Sequence, residues 1–226
     1  MSYALLITCE HAGNIVPEKY KSLFNNAEDA LRSHEGWDPG AWDVAQYLGN
    51  QLKVTPIGCP TTRLLIEANR SLNSAQLFSR YTAHLSAHAK DLLIEEIYTP
   101  YRQNVQLKIE QLPQPILHLS IHSFTPVYNG NERKVELGLL YDPARASEYR
   151  FCHDLQNQLG QIAHDVTVRH NEPYLGIDDG LTSYLRSIYG DDQYLGIEIE
   201  MSQKFVSNPD KMKEALAQGI AKVLFP

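Results

Sequence analysis

The sequence predicts an α/β fold of three layers, α/β/α, with helices on both faces of a mostly parallel, mixed sheet. Three observations carry this. Apolar runs of strand length, at residues 3–9 and 115–121, are continuous rather than alternating, as in strands buried on both faces. These runs alternate along the chain with segments of helical periodicity. The 226 residues, 43% of them hydrophobic, contain no repeat, low-complexity tract or Pro/Gly/Ser-rich linker, which suits a single domain over 1–226.

In order, the first strand covers residues 3–9 and stops at the polar, turn-prone Glu10-His11-Ala12-Gly13-Asn14. Ala41, Val44, Ala45, Leu48 and Leu52 mark an amphipathic helix over 41–52, with Asp38, Pro39 and Gly40 as its start signal. Leu64-Leu65-Ile66 reads as a second strand, followed by Glu67-Ala68-Asn69-Arg70. Residues 88–111 form a long helical stretch that Tyr98-Thr99-Pro100 kinks or interrupts. A buried strand over 115–121 ends at His122-Ser123-Phe124. Beyond it come a strand at 135–141, a helix at 148–162, a short strand at 166–168 and a helix at 181–188. A strand at 194–199 ends in Glu200, and a last helix at 210–224 is opened by Pro209.

Charge and cysteine usage narrow the function classes. A net charge of −7, with no run of Lys or Arg, argues against nucleic acid as a partner. Cys9, Cys59 and Cys152 are odd in number and lack CxxC spacing, so free thiols in a reducing compartment are expected. No basic-then-apolar leader opens the chain and no apolar run is long enough to span a bilayer. The expectation is a cytoplasmic protein with no membrane partner, of undetermined oligomeric state.

The strand ends point to chemistry. In open α/β sheets ligands bind beyond the carboxyl ends of the strands. Three separate predicted strands end in His11, His122 and Glu200. Two imidazoles and a carboxylate suit a catalytic divalent metal, zinc by preference, which takes three protein ligands and keeps one open position. A further ligand could come from His34, Glu35 or Asp38, although Asp38 also fits the turn that opens the helix. Glu198 and Glu200 share one side of the last strand, and Glu200, nearer the end, stands where a general base is needed. The other histidines, among them His84, His88 and His118, read as surface or packing residues.

Several segments, in this order, resemble the N-formylglutamate amidohydrolase family. They are Cys9-Glu10-His11-Ala12-Gly13-Asn14, His34-Glu35-Gly36-Trp37-Asp38-Pro39-Gly40-Ala41, and Thr62-Arg63-Leu64-Leu65-Ile66-Glu67-Ala68-Asn69-Arg70. Then follow Ser120-Ile121-His122-Ser123-Phe124-Thr125-Pro126, Asn129-Gly130 with Arg133, Asn171-Glu172-Pro173-Tyr174, and Ile199-Glu200-Met201-Ser202-Gln203. The resemblance implies a zinc-carboxypeptidase-like fold and hydrolysis of a small-molecule N-acyl amino acid, N-formyl-L-glutamate first among them. It implies His11, Asp38 and His122 as metal ligands and Glu200 as the catalytic acid/base. Substrate carboxylates call for arginine, whose planar fork matches them. Arg63, Arg70 and Arg133 are the candidates, with structural pairing to Glu67 or other acids as their alternative. Asn69, Asn171 and Tyr174 are further substrate-contact candidates. The chain departs from the family pattern at Thr62, where Ser is usual, at Glu67, where Asp is usual, and at Pro39, where an aliphatic residue is usual.

Other schemes fit less well. No GxSxG elbow, GxGxxG after the first strand, or GxxxxGK[ST] is present. Two alternatives remain: an amidase for another N-acyl amino acid or for a peptide or cell-wall amide, and a catalytically silent ligand-binding protein of the same fold.

Overall fold

The computed structural model describes residues 3–225. Its strands are β1 (Ala4–Cys9), β2 (Ile57–Gly58), β3 (Ile116–Phe124), β4 (Val127–Tyr128), β5 (Asn131–Glu132), β6 (Leu137–Leu140), β7 (Val168–His170) and β8 (Tyr194–Ser202). Its α-helices are α1 (Glu28–Arg32), α2 (Ala41–Leu52), α3 (Ala87–Leu93), α4 (Thr99–Gln111), α5 (Ala146–Ile162), α6 (Leu181–Arg186) and α7 (Asp210–Leu224). The main sheet has the order β2-β1-β3-β8-β6-β7. Every neighbouring pair in it is parallel except β6–β8. β4 and β5 form a separate hairpin. The three-layer, mostly parallel architecture is therefore as the alternating pattern predicts.

Period-two alternation divides the central strands into two chemically distinct faces. Ile7 and Cys9, Leu117, Leu119 and Ile121, and Leu195, Ile197, Ile199 and Met201 all pack into one core beneath α2, α5 and α7. The opposite face begins apolar, with Leu6, Ile116 and Tyr194 under Tyr101, Val105 and Ile109 of α4 and Leu181 and Leu185 of α6. Farther along, it turns polar: Thr8, His118, Ser120, His122 and Glu200 are all buried there. Parallel register aligns the rows, so that Ser120 pairs with Glu198 and His122 with Glu200. The site thus rises from the carboxyl half of one sheet face.

The reversed strand has a consequence at this place. Because β6 runs against β8, Gly138 pairs with Glu200. A Cβ at Gly138 would stand 2.1 Å from the Glu172 carbonyl oxygen and 3.2 Å from Glu200 Cβ. Only glycine allows the chain after β7 to lie so close over Glu200.

The structure corrects one predicted element. Leu64-Leu65-Ile66 is no strand; it lies in turns. Three consecutive apolar residues do not distinguish a strand from a buried turn, and these pack with Phe24, Leu77, Leu93 and Tyr98 in a satellite core. Hydroxyls replace the missing ladder: Ser79 Oγ donates to the Leu64 carbonyl and Thr82 Oγ1 to the Leu65 carbonyl. The long helix at 88–111 is widened rather than broken. A π-helical segment, Ile94–Tyr98, joins α3 to α4, and Pro100 sits in the first turn of α4, where its missing N–H is tolerated. The strand predicted at 166–168 lies instead at β7, and β3 and β8 run on through His122 and Glu200. Among the described residues no helix is long and apolar enough to cross a membrane.

Candidate metal centre and substrate pocket

Three segments bring three donors to one point. His11 follows the end of β1, and its carbonyl accepts from the Asp38 amide, which ties the 36–40 turn to the strand end. Gly40, at a φ of 83°, then turns the chain into α2. Asp38 accordingly does two jobs: its carbonyl accepts from the Ala41 amide at the helix start, and its side chain turns inward. Asp38 Oδ2 lies 3.1 Å from His11 Nδ1 and 2.9 Å from His122 Nδ1. The two imidazole centroids are 5.0 Å apart. Among the described residues this is the one group of His, Cys, Asp or Glu with ligand atoms converging within 4.8 Å. All three residues are buried.

The outer nitrogens are equally constrained. His11 Nε2 lies 2.5 Å from Glu67 Oε1, and His122 Nε2 lies 2.9 Å from Glu10 Oε2. Each imidazole is thus held between a shared inner carboxylate and its own outer one, the arrangement by which proteins orient metal-ligating histidines. Arg63 closes the first arm, placing Nε 2.6 Å from Glu67 Oε2 and Nη1 3.3 Å from Asp38 Oδ1.

Electrostatics follow from this packing. Burial alone would raise the Asp38 carboxyl, but His11, His122 and Arg63 outweigh it and hold the group well below the usual carboxylate range. Burial likewise disfavours a charged His122, yet bonds to Asp38 and Glu10 drive its proton affinity well above the ordinary imidazole value. Two imidazole nitrogens this near one carboxylate oxygen require positive charge among them, as protons or as a cation. The donor set suits a divalent cation, with three protein ligands of the kind that leave a position open.

Glu200 differs from its neighbours. It is 6% exposed, and its Oε2 has no hydrogen-bond partner among the described residues. Burial, reinforced by the charges of Asp38 and Glu198, pushes its carboxyl up to about 7 against the pull of His122. A carboxyl near neutrality beside a metal-capable triad can exchange protons at working pH. The cysteines offer no rival nucleophile: Cys9, Cys59 and Cys152 are free and buried, and burial pushes the Cys59 thiol up to about 12.

These groups open into a cavity of about 300 Å³. Of the residues singled out in the sequence, His11, Asp38, His122, Glu200, Arg63, Asn69, Arg70 and Tyr174 line it. Arg133 and Asn171 are not in the lining. The Arg133 guanidinium stacks over Phe124, Tyr128 and Tyr174, 4.7–5.4 Å from the ring centroids. Asn171, at a φ of 52°, accepts from the Tyr141 and Gly176 amides through Oδ1 and shapes the loop. Asn69 Oδ1 accepts from the Leu181 amide at the start of α6.

Glu10 was not singled out in the sequence, although alternation in β1 puts it on the face of Thr8. Glu67 was named as a structural partner for the arginines, as its ion pair with Arg63 bears out, but not as a partner of His11. Asp178, Asp179, Gln76 and Tyr128 also line the cavity, and no spacing in the sequence marks them.

A model of the N-formylglutamate amidohydrolase family matches residues 3–207, a span that holds every group described above. Among solved structures, a gene product of Agrobacterium tumefaciens is similar at a TM-score of 0.80 and 28% identity, over 98% of this chain and 90% of that one. N-formylglutamate amidohydrolase from Ralstonia eutropha is similar at a TM-score of 0.72 and 15% identity, over 99% of this chain and 94% of that one. The second likeness speaks for the fold alone. No curated protein matches the chain.

Proposed function

The chain belongs to the N-formylglutamate amidohydrolase family, and from that premise we propose that it is a metal-dependent hydrolase of N-acyl amino acids, with N-formyl-L-glutamate, cleaved to formate and L-glutamate, as its substrate. The observation that carries this reading is the convergence of His11 Nδ1, His122 Nδ1 and Asp38 Oδ2, with Glu200 in register beside His122.

His11, Asp38 and His122 would hold the metal, zinc by preference. When bound, it supplies Lewis acidity to the amide carbonyl and lowers the pKa of water to about 7. Glu200 Oε2, free of other partners among the described residues, takes a proton from the attacking water. The same oxygen returns that proton to the nitrogen of the departing amino acid. Asn69 and Tyr174 line the same cavity.

Of the three arginines, Arg70 is the one we assign to a substrate carboxylate. Arg63 is engaged by Glu67 and Asp38, and Arg133 by aromatic rings. Among the described residues Arg70 bonds only to neutral acceptors, namely Gln76 and the carbonyls of Asn69 and Asp179, and no carboxylate forms a direct ion pair with it.

The test is direct. Purified chain is assayed for bound metal and for amino acid released from a panel of N-acyl amino acids, before and after chelation and zinc addition. Activity lost on chelation and regained with zinc is expected. A chain that neither holds nor takes up a divalent metal, and that matches a His11→Ala/His122→Ala double variant, refutes the reading.

A further inference from the structure

Behind His122 stands a carboxylate that the proposed chemistry does not use. The Glu10 side chain has no solvent exposure. Its Oε1 accepts from the Tyr101 hydroxyl at 2.6 Å. Its Oε2 accepts from the Ser120 hydroxyl and lies 2.9 Å from His122 Nε2. Among the described residues, His122 is its only ion-pair partner. Glu67, by contrast, shares its charge between His11 and Arg63.

A buried carboxylate is expensive for a fold, and a well-packed apolar residue often serves stability as well or better. The stability of the fold therefore gives no reason for Glu10. The directions of its bonds do. Ser120 Oγ, 2.9 Å from His122 Nε2, commits its proton to Glu10. Both groups facing Nε2 are then acceptors, so the imidazole carries its proton there. With Nε2 so protonated, Nδ1 is the nitrogen that would give its lone pair to a cation at the point shared with Asp38 and His11, in place of the proton it otherwise shares with Asp38.

We infer that Glu10 is a positioning residue of the metal centre: it fixes the tautomer and ring orientation of His122, and is itself held by Ser120 of β3 and Tyr101 of α4. The inference rests on the metal-hydrolase reading above. The outermost brace lies outside the cavity: Tyr101 reaches Glu10 from α4, a helix that supplies no lining residue.

The experiment measures zinc affinity of the metal-stripped chain by competition with a chromogenic chelator, and follows the His122 ring by long-range ¹H–¹⁵N NMR. Wild type should bind zinc and show an Nε2-protonated ring. The near-isosteric Glu10→Gln should bind zinc about 10- to 100-fold more weakly, the usual loss when the outer partner of a ligand histidine is removed, with a displaced Nε2–H resonance. Tyr101→Phe should shift both in the same direction by less. Unchanged zinc affinity and ring signals in Glu10→Gln overturn the inference and leave the metal reading standing. A wild type that binds no zinc overturns the metal reading and the inference with it. If Glu10→Gln does not fold, Tyr101→Phe decides, and wild-type behaviour in both measurements rejects the role.

Discussion

Replacing Glu200 with Gln should separate activity from stability in opposite directions. The substitution keeps shape but removes the base, and loss of a general base costs about 100- to 10,000-fold in kcat, roughly 3–5 kcal/mol of barrier. Metal content should stay at the wild-type level, because Glu200 is not among the converging donors. Stability of the metal-free chain should move the other way. The Glu200 carboxyl sits at about 7 in the fold against an ordinary value of 4.5. Between those values the folded chain holds a proton that the unfolded chain has released, so stability falls as pH rises through the window. A shift of about 2.5 units corresponds to roughly 3 kcal/mol lost above pH 7. Gln cannot ionise, and recovers this loss apart from the cost of its own unpaired amide, about 1–3 kcal/mol. A net gain of up to about 2 kcal/mol at pH 8, giving way to a deficit of about 1–3 kcal/mol near pH 4, is therefore expected. Urea denaturation of chelator-treated wild type and Glu200→Gln across pH 4–8 measures it, alongside turnover of N-formyl-L-glutamate. A variant that is less stable at pH 8, or within tenfold of wild-type turnover, refutes the reasoning.

Two further outcomes follow from named groups. His118 is fully buried between Thr8 Oγ1 and the Tyr194 hydroxyl, and burial lowers it from 6.5 to about 4; the unfolded chain then protonates first, so stability falls as pH drops from 6.5 to 4, by about 3 kcal/mol for this group. A His118→Asn variant should lack that part of the acid dependence, and identical pH–stability curves would count against it. Arg70→Gln should raise KM about tenfold or more for a substrate bearing a carboxylate, the loss of one charge-assisted pair, while zinc affinity and the kinetics of a matching carboxamide substrate stay put; an equal effect on both substrates would remove Arg70 from carboxylate binding.

The legible parts of this protein were those written in one dimension. Continuous apolar runs marked β1 and β3, and period-two alternation in β8 put Glu198 and Glu200 on one side, as found. Helix α2 ends where its apolar spacing ends. Leu64-Leu65-Ile66 carried the same signal as a strand because burial in a turn and burial in a sheet demand the same side chains. Asp38 was ambiguous for a physical reason: its backbone opens the helix while its side chain faces the imidazoles. The outer carboxylates were harder still. Glu67 is 56 positions from His11 in sequence, and nothing local reveals that pairing. Arg133 and Asn171 sit in segments matching the family, yet their side chains brace the rim and the loop rather than the cavity.

Gly138 fixes one wall of the pocket by having no side chain. The chain that carries Tyr174, Leu175, Asp178 and Asp179 into the cavity wall begins just beyond Glu172, whose carbonyl occupies the space a side chain at 138 would need. Any side chain at this one position would therefore press that wall away from Glu200, so a change here disturbs the cavity and its buried carboxylate together. Divergence of specificity within such a scaffold is expected to run through compensating changes in the 171–180 loop while 138 stays fixed, rather than through the groups that do the chemistry.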